Sequence, residues 1–281
     1  AAIGAKVGVG RDVPVVAKIE RYRKMAQARA SFRKLDFVET SISGRVWRAC
    51  EAALISQTIV FIYGDSQIGK TTSLLEYAAR HNHGQTKYVR LPASGGVQLV
   101  AKELARSCFV SAEGCFEGLR KRILDAIDAQ TLVIVDEVHQ AFMTYHTRSQ
   151  VKVMEFLREI YDRTSCGMVL CGTNVLREEV QHGKLQKLLE QLRRRCTHPI
   201  QLPSRTPKRD LDAIAARFGL PPAEGQAREV IREMLHSSGM AMYIKFLQAA
   251  SRMATKAKED MSWDHFIRAH DILARLSVDR T

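Results

Sequence analysis

No uncharged apolar run in the 281 residues reaches the ~18 that a membrane-spanning helix requires. The opening stretch, AAIGAKVGVGRDVPVV, also lacks the apolar core of a secretory signal. Neither a membrane-embedded nor an exported protein is therefore expected. The six cysteines, Cys50, Cys108, Cys115, Cys166, Cys171 and Cys196, form no C-x-x-C pair. A zinc site lacks its usual spacing, and no motif supplies a base for a catalytic thiol. Most sit singly in apolar stretches and read as small reduced core residues of a cytoplasmic protein. Internal repeats and low-complexity tracts are missing too. What remains is 46% hydrophobic and 26% charged, the balance of a globular chain long enough for one large domain or two ordinary ones.

Acid is also in short supply. Asp+Glu number 30 against 43 Lys+Arg, for a net charge of +13. Such a surplus favours polyanionic partners: nucleic acid, or an anionic membrane surface. Residues 1–55 carry 11 basic and 5 acidic residues, close to half the excess. Lys18, Arg21, Arg23, Lys24, Arg29, Arg33 and Lys34 cluster there among few apolar side chains. Residues 1–36 are thus expected to be a basic arm or solvated helix, without the large apolar face that an interfacial helix uses.

Between residues 37 and 203, helical and strand patterns alternate. Residues 38–55 read as an amphipathic helix. Strands are expected at 58–63 (TIVFIY), 87–91, 132–135 (LVIV), 167–171 and 199–202, with helices at 70–81, 97–109, 115–128, 149–164 and 175–195. Alternation of this kind implies an α/β fold, a parallel sheet covered on both faces. After Pro203 the strands stop. Helices at 207–218, 224–237, 239–255 and 262–276 form a small all-α domain over 204–281, with Thr206 and Ser262 as expected N-caps.

Gly64-Asp65-Ser66-Gln67-Ile68-Gly69-Lys70-Thr71 fits G-x-x-x-x-G-K-[ST] in full, between a strand and a helix. The glycines let backbone N–H groups curl around phosphate oxygens, and the helix N-terminus adds positive potential. Lys70 then reaches the β- and γ-phosphates of ATP. Thr71 ligates Mg²⁺, and Thr72 extends the same turn. The strand Leu132–Val135 ends in Asp136 and Glu137, placing two acids at the sheet edge: Asp136 to hold Mg²⁺, Glu137 to polarise the attacking water. A third strand ends in Gly172-Thr173-Asn174, where Asn174, or Thr173, can hydrogen-bond the γ-phosphate or that water. Arg193, Arg194 and Arg195 close the next helix. Helix-dipole capping favours cations there, but three exceed what a cap needs, which suggests an arginine finger acting on a neighbouring subunit.

GDSQIGKT, VIVDE, GTN and QLRRR, in this order and followed by a helical lid, resemble an AAA+ ATPase. The approach segment Phe37–Thr40 and the stretch LRRRCTHPIQLP are similar to the DNA-transposition ATPases, the MuB, TniB, TnsC and IstB group. The resemblance covers about residues 37–275. It implies a regulatory ATPase that assembles on double-stranded DNA as a ring or helical filament, with little sequence preference, and that recruits and stimulates a transposase. By position, Lys70, Thr71, Asp136 and Glu137 take the nucleotide and hydrolytic roles, Asn174 the sensor role, and Arg195 the trans-acting role, with Arg193 as fallback. The stretch Gly239–Tyr243 departs from the pattern: it lacks the lid arginine common in AAA+ proteins, and Lys245 is the nearest substitute. DNA phosphates are expected to meet Lys102 and Arg106 after the second strand, and Arg148 and Lys152 in a loop over 144–152.

The alternatives are a replication initiator or helicase loader, and a P-loop kinase or membrane-surface ATPase. Leu211–Leu220 looks like half a helix-turn-helix, but Pro221-Pro222 interrupts before any recognition helix.

Overall fold

The computed structural model describes residues 19–20, 23, 37–81, 83–93, 96–142, 147–183, 186–197 and 199–278, without the side chains of 147–149, 186–188 and 273–278. The chain divides into two compact units, Ala1–Val38 and Glu39–Thr281. Within the first, Ile19, Glu20 and Arg23 are helical. The rest of the basic cluster lies outside the described residues. Everything below concerns the second unit.

Helix α1 (Ser41–Ile55) leads to strand β1 (Ile59–Tyr63), then α2 (Lys70–Arg80), β2 (Thr86–Arg90), α3 (Val97–Ser107), α4 (Phe116–Asp125) and β3 (Leu132–Asp136). A short 3-10 segment, Val138–Phe142, precedes α5 (Thr147–Thr164), β4 (Gly167–Gly172), α6 (Asn174–His182), α7 (Gln186–Arg193) and β5 (Ile200–Gln201). Helices α8 (Lys208–Ala216), α9 (Gly225–Ala257) and α10 (Trp263–Val278) complete the chain. The five strands are all parallel, in the order β2-β3-β4-β1-β5.

Every residue of β1, β3 and β4 is buried. That explains their unbroken apolar sequences, because a sheet covered on both faces has no polar side. Alternate residues feed two cores. Phe61, Val133, Val135 and Leu170 pack with α3 to α7. Val60, Ile62, Ile134 and Val169 pack with α1 and α2. The register Arg90↔Asp136 brings the ends of β2 and β3 level at the edge that carries the site.

Helix α1 opens with a capping box: Thr40 Oγ1 accepts from Ser43 N at 3.1 Å, and Thr40 N donates to Ser43 Oγ at 2.8 Å. It is tied to α2 by Trp47 Nε1 donating to Ser73 O at 2.9 Å and by Arg80 lying 4.6 Å from the Trp47 ring centroid. It is also tied to the helical C-terminal region. The buried Asp210 of α8 accepts from Ser41 N at 3.0 Å and from Ser41 Oγ at 2.6 Å.

Three boundaries differ from expectation. The helix expected at 175–195 is two, broken at Gly183, whose extended backbone (ψ 169°) caps α6. Helix α5 starts at Thr147, so Arg148 and Lys152 stand on a helix and not in a loop. Thr206 does not cap α8; Pro207 is the N-cap, and no side chain bonds to that turn. The helices expected at 224–237 and 239–255 are both present within α9 and meet at a kink at Gly239, whose angles (φ 71°, ψ −179°) are not helical. Ser262 does precede α10, its Oγ 2.8 Å from His265 Nδ1. Among the described residues, no helix is long and apolar enough to cross a membrane.

Asp210→Ala is expected to cost about 1 kcal/mol, since it leaves the half-buried N–H and hydroxyl of Ser41 without their partner. Thermal melts read this as a lowered Tm, with a smaller drop for Ser41→Ala, which keeps the backbone bond.

Candidate functional site

The loop after β1 turns through Gln67 (φ 64°) and Gly69 (φ 99°) before α2 begins at Lys70. Gly69 is the N-cap of α2 and no side chain caps that turn, so the first N–H groups of the helix face the loop's concavity. Lys70 is buried and folded back, with Nζ donating to Gly64 O at 2.9 Å and Asp65 O at 2.6 Å. The loop carbonyls hold the ammonium where a phosphate would otherwise take its protons.

Asp136 ends β3 at 1% exposure. Its Oδ2 accepts from Thr71 Oγ1 at 2.7 Å and from Tyr88 OH at 3.1 Å, while its Oδ1 accepts from Glu137 N at 2.8 Å. Burial, reinforced by the Asp136 charge, pushes the Tyr88 phenol up and keeps it a donor. Glu137 stands in the left-handed region at φ 58°. Its Oε1 lies 3.5 Å from Arg90 Nη2, and its Oε2 lies 3.3 Å from His139 Nε2. Burial holds the His139 imidazole below its ordinary pKa, against the raising effect of Glu137.

Strand β4 lies between β3 and β1, so Asn174 opens α6 between the two acids and the loop. Its Nδ2 donates to Asp65 Oδ1, and its Oδ1 accepts from Gln201 Nε2 at 3.2 Å. Thr173 Oγ1 is buried without a hydrogen-bond partner among the described residues.

Two cavities meet here. One of about 280 Å³ is lined by Ser66, Gln67, Gly69–Thr72, Glu137 and Thr173, and is roofed by Met240, Ala241 and Ile244. The other, about 560 Å³, lies between residues 65–68 and the helical region, with Leu211, Ile231, Tyr243, Arg228 and Arg232 among its walls. Ser66, Gln67 and Met240 line both. The helix after Gly239 thus presents apolar side chains to the smaller cavity, and Lys245 is exposed and lines neither. Arg205, Lys208, Arg228 and Arg232 are lid cations that line the larger cavity, and sequence reasoning missed them.

The structure therefore gathers Gly64–Thr72, Asp136, Glu137 and Asn174 into one site. Arg195 is elsewhere: it makes a two-pronged ion pair with Asp162 of α5 (Nε to Oδ1 2.6 Å, Nη2 to Oδ2 3.0 Å) and also donates to Gln191 O at 2.7 Å. Arg194 pairs with Glu190 at 2.9 Å. Arg193 is exposed and makes no ion pair among the described residues. Lys102 is half-buried on α3, and Arg106 on its last turn pairs with Glu103. Lys152 is exposed on α5, beside a groove that also holds Glu117, Glu155, Glu159 and Asp162. The Arg148 side chain lies outside the described residues. Tyr88, Arg90 and His139 were not foreseen. The one sequence signal for His139 is its place two residues beyond Glu137.

Residues 55–180 match the AAA domain family. The chain is 24% identical over 239 residues to the DNA transposition protein B of the Mu-like prophage FluMu of Haemophilus influenzae, covering 82% of this chain and 78% of that protein. It is 26% identical over 202 residues to the ATP-dependent target DNA activator B of Escherichia phage Mu, covering 70% of this chain and 60% of the phage protein. The matched stretch thus spans less than two thirds of that relative. Among solved structures, a Walker-type ATPase of Pyrococcus abyssi superposes with TM-score 0.57 at 11% identity, over 89% of this chain and 76% of that one. AMPPCP-bound DnaA from Aquifex aeolicus gives 0.50 at 14%, over 78% and 63%. These two establish the fold alone. The chain is homologous to the Mu-type B proteins, and its AAA domain makes it an ATP-binding ATPase.

Gly239 has angles that only glycine adopts without strain, and a Cβ there would stand 3.1 Å from Gln67 Cβ. Gly239→Ala is expected to cost about 1–3 kcal/mol and to weaken ATP binding by displacing Met240 from the loop. Thermal melts with and without nucleotide check both effects.

Proposed function

We propose that this AAA ATPase is an ATP-switched assembly factor. In this reading ATP and Mg²⁺ support its oligomerisation on double-stranded DNA, the assembly recruits and activates a transposase at target DNA, and hydrolysis releases it. The reading rests on one observation above all: a complete phosphate-binding loop with both strand-end acids in place, in a chain homologous to an ATP-dependent target DNA activator.

The triphosphate takes the smaller cavity, against the N-terminus of α2 and Lys70. The nucleoside half takes the larger, mostly apolar one across Gln67. Thr71 Oγ1 and Asp136 Oδ2, 2.7 Å apart, are hard oxygen donors within reach of one ion and suit Mg²⁺. Bound there, the ion neutralises charge that develops on the phosphates. Glu137 orients and deprotonates the attacking water, and Asn174, anchored on Asp65, fixes the γ-phosphate side. Lys102, Arg106, Arg148 and Lys152 on α3 and α5 meet DNA phosphates, which makes affinity steeply salt-dependent and nearly sequence-blind.

Arg195 completes the site of a neighbouring subunit. Its ion pair with Asp162 is partly exposed, and such pairs contribute about 0–1 kcal/mol, so exchange for a phosphate is cheap. Arg195→Ala is expected to reduce DNA-stimulated kcat about a thousandfold, the low end for an arginine finger. Mixing it with Lys70→Ala, which keeps the finger and loses the nucleotide, restores turnover. If Arg193→Ala and not Arg195→Ala shows this complementation, the finger is Arg193.

Negative-stain microscopy with random-sequence duplex DNA tests the whole reading. Rings or filaments are expected with a non-hydrolysable ATP analogue and not with ADP. Glu137→Gln assembles with ATP itself and persists, whereas Lys70→Ala alone, with no nucleotide at any subunit interface, does not assemble. Monomers under every condition overturn the proposal.

A further inference from the structure

Of the three donors on Asp136, one belongs to no motif and lines neither cavity. Thr71 is a ligand in its own right on the proposed reading, and Glu137 N is backbone. The third is Tyr88, whose OH donates to Asp136 Oδ2 at 3.1 Å. Its side chain is absent from the walls of both the smaller and the larger cavity. It reaches the site only through Asp136.

Strand register puts it there. Tyr88 pairs with Ile134, two residues before Asp136 on β3, and alternation sends Ile134 and Asp136 to the same side of the sheet. That side is the core covered by α1 and α2, against which Tyr88 packs. Two strand residues advance about 7 Å. A donor at position 88 must therefore lean along the sheet to meet the carboxylate. Tyrosine is long enough, serine and threonine are not, and phenylalanine fills the space with no proton to give. Arg90 stands directly opposite Asp136, but its guanidinium is at Glu137 instead.

The last torsion of an aspartate is soft, so hydrogen bonds set the direction of its oxygens. A carboxylate offers about four lone-pair positions. Three are filled here: Thr71 and Tyr88 take two on Oδ2, and Glu137 N takes one on Oδ1. The Thr71 bond is the one that a cation disturbs, because the same hydroxyl oxygen is wanted as a ligand. The Tyr88 bond lies outside that exchange.

The geometry points to Tyr88 as a positioning residue for Asp136, its hydroxyl holding Oδ2 in line with Thr71 so that the pair meets a divalent cation already oriented. This rests on the reading of Thr71 and Asp136 as the Mg²⁺ pair. A donor also draws charge from the carboxylate, which alone would loosen a cation. Orientation outweighs it, since partners behind metal ligands raise metal affinity about tenfold to a hundredfold. At 1% exposure, moreover, Asp136 has no bulk water to replace a lost donor.

The test is nucleotide binding by the full chain, followed with a fluorescent ATP analogue over a series of Mg²⁺ concentrations and in EDTA, with thermal melts and ATP hydrolysis alongside. Tyr88→Phe keeps the ring and removes the donor. It is expected to lose no more than about 4 °C in Tm, the effect of one hydrogen bond in a domain of this size. Its nucleotide Kd in EDTA stays within twofold of the parent. The Mg²⁺ concentration that half-saturates nucleotide tightening rises about tenfold, the low end for an outer partner, and excess Mg²⁺ restores kcat. In an Asp136→Asn background, Tyr88→Phe moves that midpoint no further, because both changes act on one side chain. An unchanged or lowered Mg²⁺ midpoint, a loss of nucleotide in EDTA as large as in Mg²⁺, or full additivity with Asp136→Asn overturns the assignment. A parent whose nucleotide affinity and hydrolysis ignore Mg²⁺ overturns instead the reading of Thr71 and Asp136 on which it stands.

Discussion

The site is organised around the Asp136 carboxylate. A carboxylate at 1% exposure is costly to bury bare, and here three donors from three places converge on it: the first turn of α2, strand β2, and the backbone of the next residue. The hydroxyl of Thr71 can reach it only if α2 starts where it does, which requires Gly69 in the left-handed region. Tyr88 can reach it only if β2 and β3 hold the register that pairs Arg90 with Asp136. One buried charge thus locks the phosphate loop to the sheet. Thr71 and Tyr88 donate to the same oxygen, so a cation arriving at Oδ2 competes with hydrogen bonds already made.

From this hub the structure reaches the helical C-terminal region by two routes. The direct route is Gly239 against Gln67 and Met240 against Gly69, where a Cβ on Gly69 would stand 2.8 Å from Met240 Cε. The indirect one runs from α2 through Trp47 and Arg80 to α1, and from Ser41 to Asp210 on α8. A shift of the phosphate loop therefore acts on both ends of the lid, at α8 and after Gly239. Because the residues roofing the phosphate cavity are apolar, the lid reports on the loop's shape and carries no charge there to read a phosphate directly.

Where local sequence was sufficient, the sequence was legible. Strands β1, β3 and β4 announce themselves because both faces are buried, and GDSQIGKT because phosphate binding requires that spacing. The order of motifs placed Asn174 between the acids and the loop. Local patterns revealed the break at Gly239 but not the one at Gly183, which divides a single expected helix into two. Nor did they reveal Tyr88, Arg90 or His139. Tyr88 and Arg90 matter through partners 48 and 47 residues away, and the Asn174 bond to Asp65 spans 109. His139 is close to Glu137 in sequence, yet it meets the Glu137 side chain only through the left-handed turn between them.

The arginines show the same dependence on context beyond one chain. In a single subunit Arg195 is stowed against Asp162, two-pronged but partly exposed, which is a weak attachment in water. A guanidinium gains far more from a multiply charged phosphate in a dry interface than from one carboxylate at the surface. On the proposed reading, the pair with Asp162 keeps the arginine ordered until a neighbouring nucleotide offers the stronger partner. The completed site then exists only in the assembly, which is how hydrolysis could be withheld from the lone subunit and granted to the oligomer without any change in the residues that bind ATP.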